Sequence, residues 1–259
     1  MRTEDLHLEF IDEALCLVRE AEERGIQLRI LGAIAYRLQC PTHRHLFDDM
    51  VRVLTDVDFA AKKTHNLQIR EFMKSKGYIA DEGVYVISEG ARHIYTHPQT
   101  NLSVDVFTDE LYYCHRIPLK DRLHFDPLTI STTDLLLEKM QIVEINLKDF
   151  KDTLVLLLEH PLGAAPDGNK HIDMGYITNI MANDWGFYYT FTTNLKRVPD
   201  FISEFPAITA EQAGVIRTKV DVLVREIEKA PKSLKWKMRA KIGTRMLWYQ
   251  EVSEKSKQL

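Results

Sequence analysis

Cysteine is scarce in this chain of 259 residues: Cys16, Cys40 and Cys114 are the only three. They form no C-x-x-C pair. Their odd number, with no signal sequence ahead of them, points to reduced thiols and a cytoplasmic protein. Long apolar runs are missing too. A stretch such as Leu154 to Leu158 falls far short of the roughly 20 residues a membrane span needs, so no membrane partner is expected. There is no G-x-G-x-x-G and no G-x-x-x-x-G-K-[ST], which argues against a dinucleotide-binding protein and a P-loop ATPase. No G-x-S-x-G elbow supports a serine hydrolase. Internal repeats and low-complexity tracts are absent.

What is present is an ordinary globular composition, 45% hydrophobic and 28% charged, with a formal charge of −4. That balance gives the whole molecule no general attraction for nucleic acid or an anionic surface. The charge is unevenly placed. From Arg217 to Leu259 there are 12 Lys/Arg against 5 Asp/Glu, a surplus of seven, which leaves the first 216 residues near −11. An acidic body ends in a basic segment.

Apolar residues at helical spacing predict a helix over Asp5 to Arg24, stopped by Gly25. Ile26 to Leu31 reads as a strand that passes through Gly32 into a helix ending near Pro41. Such a turn leaves backbone N–H groups free and favours phosphate through those donors and the helix dipole. Thr42 to Met50 reads as a polar loop, in which His43 and His45 are taken as solvated. A helix over Thr64 to Lys76 follows the next strand. Arg92 to His97 and Leu102 to Phe107 alternate as two strands joined by turn residues, which predicts a hairpin. Ser131 and Asn146 stand where N-caps belong, ahead of helices over Asp134 to Val143 and on to Glu159. The remainder reads as helices near Ile172 to Ala182, Gly186 to Lys196, Thr209 to Lys229 and Leu234 to Glu251. Strands come first and helices later, the α+β pattern, and the expected division is 1–128 and 129–259.

The stretch Leu54-Thr55-Asp56-Val57-Asp58-Phe59-Ala60 sets two carboxylates on one face of an apolar strand. Asp is depleted in strands and costly to bury without a partner, so two together ask for a cation. Asp105, in Ser103-Val104-Asp105-Val106-Phe107, is a third such acid. If its strand lies about 4.8 Å from that of Asp58, the three converge on one or two Mg²⁺ ions.

Assembled in this way, the chain resembles the nucleotidyltransferase superfold shared by DNA polymerase β-like enzymes, aminoglycoside nucleotidyltransferases and AbiEii-type toxins. The family's hG[GS] turn, h[DE]h[DE]h strand and later third acid look like Leu31-Gly32-Ala33, Asp56-Val57-Asp58 and Val104-Asp105-Val106. An Arg four residues before the first acid, and a helical Lys followed by an acid pair, are similar to the AbiEii-like branch and fall on Arg52, Lys139, Asp149 and Asp152. The resemblance covers about Leu28 to Leu158. It implies a mixed sheet with flanking helices followed by a helical C-terminal domain. It further implies a Mg²⁺-dependent transfer of an NMP from an NTP to a hydroxyl, with pyrophosphate released.

In that reading Asp56, Asp58 and Asp105 are catalytic and metal-binding. Gly32, Ala33, Arg37, Arg52, Lys139, Asp149 and Asp152 are nucleotide-binding. The acceptor is RNA such as tRNA or a small hydroxylated molecule, and an antitoxin protein is a possible partner. Tyr112, Tyr113 and Trp185 are weighed as base-stacking residues against the more common core role. The basic tail reads either as an RNA-binding surface of interleaved cations and aromatics, or as a helix docking Trp236, Met238, Ile242, Met246 and Trp248 on the body. A different class of function, a non-catalytic nucleotide- or partner-binding protein of the same fold, is motivated by Ala33 standing where Gly or Ser is usual.

Overall fold

The structure, a computed structural model, describes residues 3–163 and 171–251. Helix α1 (Thr3–Glu23) leads into strand β1 (Leu28–Leu31), which turns into α2 (Gly32–Gln39). A short helix, α3 (His45–Asp49), occupies the stretch expected to be a loop, where Leu46 and Phe47 are fully buried. Then come β2 (Val57–Ala61), α4 (Asn66–Ser75), the two-residue β3 (Ile79–Ala80), α5 (Glu82–Ile87), β4 (Arg92–Thr96) and β5 (Ser103–Thr108). The five strands form one mixed sheet in the order β1-β2-β5-β4-β3. Strands β4 and β5 pair antiparallel as the expected hairpin, while β2 and β5 pair parallel at its centre.

Helices dominate the second half: α6 (Thr132–Met140), α7 (Leu147–Glu159), α8 (Met174–Asn183), α9 (Trp185–Arg197), α10 (Ala210–Lys229) and α11 (Leu234–Ile242). The two N-caps read from the sequence are made. Ser131 Oγ accepts from the Asp134 N–H at 3.1 Å, and Asn146 forms a capping box with Asp149. The apolar run Leu154 to Leu158 lies in α7, which packs against α2, α3, α6 and α10 and so is buried on nearly every side.

The junction between the halves is stitched to the sheet. Ile30 donates its N–H to Leu128 O at 2.8 Å and accepts from the Ile130 N–H at 3.0 Å. One hydrophobic cluster runs from Ala14 to Ile227 across that junction, and α6 and α7 both pack on α2. Among the described residues no helix is long and apolar enough to cross a membrane.

The basic tail meets the docking reading only in part. Helix α11 stops at Ile242, where Gly243 adopts a left-handed φ of 60°, and the chain makes a 3-10 turn over Gly243–Arg245 before continuing to Glu251 without further helix or strand. At 100° per residue Leu234, Met238 and Ile242 share one face, and that face points to solvent: Leu234 is 78% exposed and Met238 64%, and Met246 beyond the helix is exposed as well. Turned inward are Trp236, edge-on to Tyr188, Trp248, edge-on to Tyr189, and Arg239, over the Trp185 ring.

Candidate functional site

A cleft of about 590 Å³ opens between the β1–α2 turn, the ends of β2 and β5, and helices α6 and α7. That is the size of a small-molecule site. Leu31 pairs with Asp58 across β1 and β2, and the chain then turns through Gly32 at φ 68°. A Cβ at Gly32 would collide with the Asp58 carboxylate, so glycine is required both by the backbone and by the approach. Ala33 also lines the cleft. The Gly32 N–H is already engaged: it donates to Glu138 Oε2 at 3.2 Å.

Asp58 and Asp105 are register partners on adjacent parallel strands, which puts their side chains on one face. Asp56 precedes β2 by one residue, and all three line the cleft with Glu138. Loss of water holds the Asp58 carboxyl well above the usual range, and the charges of Asp56, Asp105 and Glu138 push the same way against Lys139. Burial raises Asp105 to about 6, with Arg92 opposing. Arg92 reaches both Asp105 oxygens through Nε, at 3.0 and 2.9 Å, and adds a third contact through Nη2. Burial raises Glu138 as well, against Lys139 and the Gly32 N–H.

The cations of the cleft are mostly committed to acids. Burial works against the charge of Lys139, but Glu138, Asp149 and Asp152 at 3.3, 3.4 and 3.5 Å hold its pKa above the ordinary lysine value. Arg52 binds Asp152 through Nε and Nη2 at 3.0 and 3.1 Å. Asp149 faces Lys139 with one oxygen and accepts the Asn146 N–H with the other, at 3.2 Å.

Two expected ligand contacts stand behind this wall and not on it. Asp152 is fully buried and holds Arg52 and Lys139 in place. Arg37, 4% exposed, donates to Arg52 O at 2.7 Å and to Asp48 at 2.9 Å, so it braces the segment carrying Arg52. Both lie on the inner faces of their helices, where an ionic side chain survives by pairing. Of the aromatics, Tyr113 lines the cleft, Trp185 is buried under the tail, and Tyr112 sits outside against Arg116. His43 pairs with Glu159 Oε2 at 2.8 Å and is not free in solvent.

Glu138, Lys148, Tyr249 and Glu251 line the cleft unheralded. Glu138 sits beside Lys139 in Leu137-Glu138-Lys139, which reads in sequence as the solvated face of a helix; its burial was invisible because α6 is enclosed on all sides.

As placed, no three His, Cys, Asp or Glu side chains among the described residues form a metal-ligand cluster. The donor chemistry nonetheless fits a hard divalent cation. Asp56 and Asp58 offer oxygen ligands, Asp105 offers more once parted from Arg92, and the mutual repulsion at Asp58 is what a cation relieves. Compared with known proteins, the chain matches no family model, no curated protein and no solved structure.

Proposed function

We propose that the cleft binds a nucleoside triphosphate with Mg²⁺ and transfers the nucleotidyl group to an acceptor hydroxyl, on RNA or on a small molecule. The observation that carries this reading is the in-register pairing of Asp58 with Asp105, beside Asp56 and against the Gly32 turn. Carboxylates rarely face one another inside a sheet unless a cation or proton joins them.

Asp56 and Asp58 would hold the metal, with Asp105 joining when Arg92 lets go. Bound there, Mg²⁺ neutralises the triphosphate and polarises its phosphorus. The protein's own groups do the positioning on which such transfers rest. Asp105 would help activate the acceptor hydroxyl, either through the metal or by accepting its proton as a general base. Lys139 offers positive charge to the triphosphate from a site fixed by Glu138, Asp149 and Asp152. The turn at Gly32 and Ala33 offers N–H groups to phosphate, once Glu138 releases that of Gly32.

A second reading, a binding protein without catalysis, is favoured by that same Glu138 contact and by the Arg92 hold on Asp105, since both satisfy ligand-facing groups internally. The melting temperature separates binding from no binding. Mg·NTP raises it for the wild type, as any ligand of the native state must, and not for Asp58→Ala. An equal rise in both proteins removes Asp58 from the site.

A further inference from the structure

Along the chain, the lining of the cleft passes from Asp149 directly to Tyr249 and Glu251, at the very end of the described residues. Arg239 of α11 donates to the carbonyls of Gly243, Met246 and Leu247, at 2.6, 2.9 and 3.3 Å, while its guanidinium lies 4.7 Å from the Trp185 ring. The Trp248 indole donates to Thr190 Oγ1 at 3.1 Å. The Trp248 carbonyl presses on Gly186 so closely that a Cβ there has no room. Finally the Gln250 N–H donates to Cys114 O at 3.0 Å. Four separate attachments, one of them demanding a glycine in α9, make a built seat for a strap.

The strap ends at the wall of the cleft. Cys114 touches the Val143 N–H with its sulfur, at 3.5 Å, and follows Tyr113, whose ring feels the charges of Asp105 and Asp58. The lining of the cleft thus combines Gly32, Asp58 and Lys139 with Tyr113, Ile142, Val143 and Tyr249. Resting on the nucleotide reading above, the geometry points to a base subsite: the strap carries Tyr249 to the cleft as a ligand-contacting residue that stacks on the nucleobase, while the Gly32 turn and Lys139 face the phosphates. Stacking on an aromatic face is tolerant of base identity.

Binding of the full-length chain to Mg·NTP and to Mg·tripolyphosphate, which has no base, tests this. Tyr249→Ala weakens Mg·NTP by about tenfold, the scale of one lost base–aromatic stack, and leaves Mg·tripolyphosphate within about twofold. Tyr249→Phe binds like the wild type. Gly186→Ala, which keeps α9 helical but evicts the Trp248 carbonyl, behaves like Tyr249→Ala. Unchanged NTP binding by Tyr249→Ala, or an equal loss for both ligands, overturns the base subsite and leaves the nucleotide reading standing. A wild type that binds neither ligand overturns the nucleotide reading itself, and the subsite with it.

Discussion

The backbone N–H of Gly32 donates to the carboxylate of Glu138 at 3.2 Å, so an acid occupies the donor that a phosphate would use. Glu138 also holds Lys139 at 3.3 Å. Removing it frees one donor, one lysine contact and one negative charge. Glu138→Ala is expected to tighten Mg·NTP binding by about fivefold, equivalent to roughly 1 kcal/mol. Calorimetric titration measures it; a loss of similar size would mean that Glu138 contacts the ligand.

Asp58 is expected to trade stability for function. Its folded-state pKa lies well above 3.8, so ionising it in the native state costs free energy, and its contribution is lost as pH rises from about 3.8 through the folded value. Asp58→Asn removes that penalty. Urea denaturation at pH 7 should show the variant more stable by about 1–2 kcal/mol, with the difference fading near pH 4. A variant less stable at pH 7 contradicts the repulsion described for this site.

Arg52 and Asp152 behave oppositely. Asp152 is fully buried, and Arg52→Ala leaves its carboxylate facing only Lys139. A loss of about 3–5 kcal/mol is expected, and Arg52→Ala combined with Asp152→Asn should recover part of it. Chemical denaturation of the two variants decides.

His93 sets an acid limit. It is 2% exposed between Tyr95 Oη and Asn66 Oδ1, at 3.0 and 3.2 Å, and burial, with Arg70 adding to it and Glu82 opposing, lowers its pKa from 6.5 to about 4. The unfolded chain therefore binds a proton first, and stability falls as pH drops from about 6.5 to about 4 by up to roughly 3 kcal/mol from this group. His93→Gln should flatten that part of the stability profile relative to the wild type. Parallel profiles would assign the acid loss to other groups.

Local signals in the sequence carried far. The caps at Ser131 and Asn146, the alternation around Asp105 and the hairpin turn each depend on near neighbours, and each is present in the structure. Long-range pairing was harder to read. The spacing of Asp56 and Asp58 carries no register with Asp105, which is set by the parallel pairing of β2 and β5 across the intervening α4, β3, α5 and β4. Arg37 was expected at the nucleotide because it lies close to the Gly32 turn in sequence, yet it is spent on Arg52 and Asp48. Of the residues read as a docking face in the tail, Trp236 and Trp248 do pack on the body, joined by Arg239, while Met238 and Met246 stay outside. Periodicity reports that a helix has an apolar face and not whether the protein covers it.

Nucleotidyl transfer is read out by label from the α-phosphate. Incubated with Mg²⁺ and each α-labelled NTP, with and without total RNA and small hydroxylated acceptors, the wild type should pass label to one acceptor and release pyrophosphate, while Asp58→Ala and Asp105→Ala should not. No transfer from any NTP to any acceptor, by a protein whose melting temperature Mg·NTP does raise, contradicts the transferase and leaves a nucleotide-binding protein in its place.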